Sequence, residues 1–233
     1  MKNISIFPGL LESSLESLKP KLTSLINLKP KPSVVQVDII DGEYYPNLTI
    51  EPNAVRELDW QGIDVDLHLL VVEPIDYISE VADFKSLRTV IGQIERMSSQ
   101  TEFVAEAEAG GVAAGLSLDI FTPFESLETS ILSKLNVIQI MGGQLGEQGN
   151  QFNPLALEKI KLASGYRQSH NLSYKICVDV GMNPQTIPQV KLAGADAFVV
   201  GSYLFHQVEG DNLSFQSTNY QIAWDQLLSA VKG

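Results

Sequence analysis

The sequence predicts a single (β/α)₈ barrel over residues 1–233. Two observations carry this: eight short β-branched or aliphatic runs recur along the chain, and most lead through a polar or glycine-containing turn into a helical pattern. Strands that alternate with helices imply a parallel sheet covered on both faces. Eight such units in so short a chain favour closure over an open doubly wound sheet, since barrels of this class typically need roughly 250 residues. No G-x-G-x-x-G turn follows the first run, which weighs against a dinucleotide-binding fold.

The strands are expected at 4–7, 34–39, 65–70, 89–94, 113–118, 137–141, 175–180 and 197–200. Leu15, Leu18, Leu22 and Leu25 form an apolar stripe at helical spacing after the first strand. Phe103, Val104 and Ala107 form a second stripe, and Leu155, Ile160 and Leu162 a third, just after Pro154. Asn183-Pro184 reads as a helix N-cap followed by proline at the first helical position. Residues 221–231 suggest a closing amphipathic helix. The one long irregular stretch is 142–153, which contains Gly142, Gly143, Gly146 and Gly149. It follows the sixth strand and so belongs to the active face of a barrel, where long loops are usually functional.

Composition narrows the function classes. Sixteen basic residues against 28 acidic ones leave a net charge of −12, which argues against nucleic acid because phosphate backbones need clustered Lys and Arg. It does not exclude a small phosphorylated substrate, which backbone N–H groups can hold. The apolar runs are far shorter than the roughly 20 residues of a membrane span, and the N-terminus lacks the pattern of a signal peptide. Cys177 is the single cysteine, so no disulfide framework is available within the chain, and a cytoplasmic location is expected.

Strand side chains alternate in direction. Gln36 therefore shares a face with Asp38, Asp66 with His68, and Cys177 with Asp179. Asp38, His68 and Asp179 fall near the C-terminal ends of their strands, where the catalytic groups of a barrel gather. One acid at such a place commonly caps a helix or pairs with a lysine. Three polar residues arriving on three strands are harder to assign to that role, because burying them without partners is costly. Two carboxylates and an imidazole suit proton transfer, or a divalent metal with oxygen and nitrogen ligands. Two acids on opposite faces of a carbon beside a carbonyl could invert it. Gly181, Gly201 and Ser202 follow the seventh and eighth strands, the usual phosphate site of this fold, although such glycines also serve as plain turns. Trp60, Trp224 and Cys177 are expected in the core. His170 is expected at the surface, and His206 could face either way. Phe121 and Phe124 are expected in a turn or the core.

At these residues the chain resembles ribulose-phosphate 3-epimerases. Residues 37–49, VDIIDGEYYPNLT, look like that family's strand-two signature, roughly H-V-D-V-M-D-G-x-F-V-P-N-x-T. Asp66-Leu67-His68-Leu69-Leu70 resembles its D-V-H-L-M, Asp179-Val180-Gly181-Met182-Asn183 its D-G-G-I-N, and Val200-Gly201-Ser202 its A-G-S. The glycine-rich stretch 142–153 resembles its substrate-covering loop, which brings Gly146 and Gly149 into contact with substrate.

The resemblance implies that Asp38 and Asp179 are the acid and base that invert the carbon next to a ketone. It implies a divalent metal, zinc, iron or manganese, held by Asp38, His68 and Asp179, with Gln36 where the family has a second histidine. It also implies a small phosphorylated sugar as partner and possible homo-oligomers. Met141 keeps one of three methionines that line the family's site; Ile40 and Leu70 replace the other two. Gly9 stands in place of a serine, and Val180 in place of the first glycine of the strand-seven motif. These departures leave open an epimerase or isomerase of a different phosphorylated sugar, and a barrel that binds sugar phosphate without catalysis. The phosphate-dependent decarboxylases of similar barrels place a lysine between two aspartates on strand three, which Asp66-Leu67-His68 lacks.

Overall fold

A computed structural model describes residues 4–81, 83–144, 151–205 and 213–232. Eight parallel strands, β1 (Ser5–Leu10), β2 (Val34–Ile40), β3 (Asp64–Leu70), β4 (Leu87–Gln93), β5 (Ala113–Leu118), β6 (Val137–Met141), β7 (Lys175–Asp179) and β8 (Ala197–Val200), close in sequence order, with β8 paired to β1. All eight expected strands are present, each shifted by at most a few residues. Closure rules out the open-sheet alternative.

The helices form where the apolar stripes lie. In α1 (Leu15–Asn27), Ser14 accepts a hydrogen bond from the Ser17 N–H at 3.2 Å, and Leu18, Leu22 and Leu25 are buried against the sheet. Each fully buried leucine contributes roughly 1.5–3 kcal/mol relative to exposure. Two short helices, α2 (Pro52–Arg56) and α3 (Ile78–Val81), follow β2 and β3. In α4 (Gln100–Ala109), Ser99 caps in the same way, and Phe103, Val104 and Ala107 are buried. The chain from β5 to β6 carries only two 3₁₀ turns, Phe124–Ser126 and Thr129–Ile131. Beyond β6 come α5 (Ala156–Ser169), α6 (Ile187–Ala193), α7 (Ser202–Phe205) and α8 (Leu213–Lys232).

Two expectations need correction. Of the third stripe only Ile160 is buried; Leu155 and Leu162 are exposed, because α5 turns its small residues Ala156 and Ala163 inward as well. Asn183 caps a turn rather than the helix: its Oδ1 accepts from the N–H groups of Gln185 and Thr186, and α6 begins at Ile187. Phe121 lies exposed in a turn and Phe124 is buried in the core, as expected. Trp60, Trp224 and Cys177 lie in the core, and His170 is on the surface, stacked on Tyr166. His206 lies outside the described residues. Among those residues no helix is long and apolar enough to cross a membrane.

The barrel interior is layered. Phe7, Val34, Ile91, Val137, Cys177, Ala197 and Val199 fill one apolar layer. Asp66 is buried with them, bonded bidentately by Arg88, whose guanidinium lies over the Phe7 ring at 4.9 Å. Asp66 therefore has a partner of its own and stands apart from the polar cluster at the opposite end. That end is roofed by Ile40, Leu70 and Met141, with Leu11, Tyr44, Tyr45 and Val180 packed against them.

Candidate active site

Between the two apolar layers lies a polar one. Gln36 (β2), His68 (β3), Gln93 (β4), Ser117 (β5) and Gln139 (β6) are each 0–1 % exposed, and Asp179 (β7) 9 %. Asp38 is half-buried beside them. In-register pairing places these groups: Asp38 sits opposite His68, Gln93 opposite Ser117, and Ser117 opposite Gln139.

Asp38, His68 and Asp179 converge, with ligand-capable atoms all within 4.8 Å of one another. Gln36 ties the carboxylates together: its Nε2 donates to Asp38 Oδ1 and to Asp179 Oδ2, both at 2.8 Å. Its Oε1 is buried with no partner among the described residues, and so is Gln139 Oε1. His68 Nδ1 lies 3.2 Å from Asp38 Oδ1 and 3.2 Å from Gln139 Nε2, while its Nε2 lies 3.1 Å from Gln93 Oε1. Gln93 Nε2 in turn donates to Glu95 at 2.7 Å. Met141 accepts a hydrogen bond on sulfur from the Ser117 hydroxyl at 3.3 Å.

The electrostatics follow from burial. Desolvation, helped by the nearby Asp38 charge, pushes the Asp179 carboxyl up to about 7, against the opposing pull of His68, the Val180 N–H and Gln36. Burial alone would lower His68, but its hydrogen bond to Asp38 and the charges of Asp38 and Asp179 outweigh burial and raise it. Burial, followed by the charge on Glu95, raises Tyr44, and burial pushes Tyr45 up to about 12. Both rings therefore stay neutral hydrogen-bonding groups near pH 7.

Gly181 and Ser202 border a cleft of about 460 Å³ with Gln151, Phe152, Met182, Asn183, Thr186 and Tyr203. Gly181 has φ +74°, and a Cβ there would come within 2.2 Å of the Phe152 nitrogen. Glycine is thus required both by its conformation and by the close approach of the loop after β6. Gly201 lies apart from the cleft lining, facing the Gly9 carbonyl. Gly146 and Gly149 lie outside the described residues.

The residue-by-residue reading missed Gln93, Ser117, Gln139 and Glu95. A signal was present: Gln139 stands two residues before Met141 and shares its face, and Gln93 and Ser117 each interrupt an apolar run.

The ribulose-phosphate 3 epimerase family model matches residues 5–205. The chain belongs to the ribulose-phosphate 3-epimerase family. Its relatives include the ribulose-phosphate 3-epimerases of Escherichia coli K12, 31% identical over 89% of this chain and 91% of that one, and of Synechocystis, 31% identical over 88% and 89%. That of Schizosaccharomyces pombe is 28% identical over 88% and 89%. Family membership makes this ribulose-phosphate 3-epimerase-like chain an isomerase of the racemase and epimerase class acting on carbohydrates. Solved structures at much lower identity share the fold alone. A mutant tryptophan synthase alpha-subunit from Pyrococcus furiosus has a TM-score of 0.69 at 14% identity, covering 98% of this chain and 100% of that one. A native KDPGal structure has 0.64 at 13%, covering 100% and 98%.

Proposed function

We propose that this member of the family inverts the carbon next to the ketone of ribulose 5-phosphate or a close phosphorylated relative, with Asp38 and Asp179 as the proton-transferring pair. The observation that carries the reading is the convergence of two carboxylates and one imidazole under an apolar roof, beside a cleft that begins two residues beyond Asp179. One carboxylate takes the proton from the carbon and the other returns one, and the roles exchange in the reverse direction. Ile40, Leu70 and Met141 keep water from the reacting carbon.

Asp38, His68 and Asp179 fit a divalent cation. Two carboxylate oxygens and an imidazole nitrogen suit zinc, iron or manganese, and their span of 4.8 Å is close to what one cation at roughly 2.0–2.2 Å from each ligand bridges. Gln36 now turns its NH₂ to the carboxylates. As a fourth ligand it would turn its amide so that the unpartnered Oε1 faces the cation. When bound, the cation would supply positive charge where the enediolate's negative charge collects.

The phosphate reading rests on Gly181 and Ser202. Among the described residues none that lines the cleft is basic, so the phosphate would be held by N–H groups, hydroxyls and the Asn183 amide. Gly201 would act only by letting the chain pass close to Gly9. Substrate contacts by Met141, Gly146 and Gly149 belong to the same reading.

The test is to load purified protein with zinc, iron or manganese in turn and follow xylulose 5-phosphate formation, with other ketose phosphates as a panel. Turnover should fall by roughly 10²–10⁴ in Asp38→Asn. No turnover with any metal or sugar, or turnover indifferent to Asp38→Asn, overturns the proposal.

A further inference from the structure

We propose that Glu95 and Gln93 hold a proton on His68 Nε2, which makes Nδ1 the ring nitrogen available as a ligand beside Asp38 and Asp179. They are positioning residues, two steps removed from the reacting atoms. The proposal deepens the cation reading above, but the Nε2 proton itself does not depend on it.

The chain of inference starts at Glu95. Its carboxylate accepts from the Asp119 N–H at 2.7 Å through Oε1 and from Gln93 Nε2 at 2.7 Å through Oε2. An ionised carboxylate can only accept, so Gln93 must present its NH₂ to Glu95 and its carbonyl to His68. That carbonyl lies 3.1 Å from His68 Nε2 and can only accept, so Nε2 carries the proton. The other ring nitrogen has neighbours of both kinds. Gln139 Nε2, which can only donate, and Asp38 Oδ1, which can accept, each lie 3.2 Å from His68 Nδ1, so Nδ1 can give up a proton in favour of a cation while Nε2 keeps its own.

This has a chemical consequence. Nδ1 faces Asp38 Oδ1 at 3.2 Å, so a cation that displaces the proton shared there would meet a nitrogen lone pair and a carboxylate oxygen together. Partners that orient a ligating histidine through its other nitrogen usually govern metal affinity by 10- to 100-fold. Here that partner is a neutral amide, itself aimed by a carboxylate.

The decisive measurement is ¹⁵N NMR of the imidazoles in metal-free protein, with the His68 signals assigned by their loss in His68→Asn. The expected spectrum shows a protonated Nε2, which keeps its proton when zinc is added, and zinc shifts Nδ1 strongly. Glu95→Gln then reverses the relay almost without change of shape. The new amide donates to the Gln93 carbonyl, Gln93 turns, and its NH₂ meets His68 Nε2. Nε2 is expected to lose its proton, and zinc affinity to fall roughly 10- to 100-fold. A merely structural Glu95 would change stability and leave the Nε2 proton alone.

A wild-type spectrum in which Nε2 lacks its proton, with or without zinc, overturns the proposal. So does a folded Glu95→Gln protein with unchanged Nε2 protonation and zinc affinity. Should that variant fail to fold, the wild-type spectrum still decides. Neither readout involves a sugar phosphate, so a protonated Nε2 without epimerase turnover counts against the proposed reaction and not against the relay.

Discussion

Val180 holds a left-handed backbone, φ +71°, that a β-branched side chain strongly disfavours. It is kept there by its surroundings. Its N–H donates to Asp179 Oδ1 at 2.7 Å, and the Gly142 N–H donates to the Asp179 carbonyl at 2.6 Å. Its side chain packs on the cluster of Ile40, Leu70 and Met141. Val180→Ala and Val180→Gly both remove that packing, but only glycine also removes the Cβ. A Cβ in the left-handed region costs roughly 1–2 kcal/mol. The greater freedom of glycine in the unfolded chain takes back about 0.5–1 kcal/mol. The glycine variant should therefore be more stable than the alanine variant by about 0.5–1 kcal/mol, the reverse of the usual order. For a domain of this size about 1 kcal/mol corresponds to roughly 2–4 °C in Tm. Thermal melts of the two variants, each at equal pH and metal content, read the difference. An alanine variant that melts at or above the glycine variant refutes the argument for strain.

Two further outcomes are expected. A Cβ on Gly9 would come within 2.7 Å of Val199 Cγ1, so Gly9→Ser should cost about 1–3 kcal/mol by overpacking; Val199→Ala should recover part of it, and a urea-denaturation double-mutant cycle that is additive within about 0.5 kcal/mol contradicts this. In chelator-treated protein, Asp179 has a folded pKa of about 7, raised from 3.8 by burial and by Asp38. The folded state thus binds that proton more tightly than the unfolded state, and the stabilisation is full below about pH 3.8 and lost as pH rises towards 7. His68, also raised, acts with the same sign. Melts should show stability falling from pH 5 to pH 8 more steeply than in Asp179→Asn; equal slopes in the two proteins would sink the assignment.

The positions of the strands, and the residues that share an inward face, were legible in the sequence. That information is local: alternation of period two decides that Gln36 accompanies Asp38 and Gln139 accompanies Met141. The motifs around Asp38, His68 and Asp179 also marked which end of the barrel matters. Helix surfaces were less legible, as Leu155 and Leu162 show, because helical spacing marks a stripe without saying how deeply a short helix seats it.

Only closure of the barrel decided what those residues meet. Gln36 reaches Asp179 across 143 residues of sequence, and His68 receives Gln93 and Gln139 from two other strands. Such contacts depend on the register and stagger of the whole sheet. The direction of each amide depends in turn on the neighbour behind it, as Glu95 stands behind Gln93. The left-handed twist of Val180 is likewise imposed from outside, by the loop that presses Phe152 against Gly181 and Gly142 against the Asp179 carbonyl. The chain carries the donors and acceptors in order along its strands; packing them into one enclosed layer, where each can only donate or accept toward a fixed partner, makes them a site.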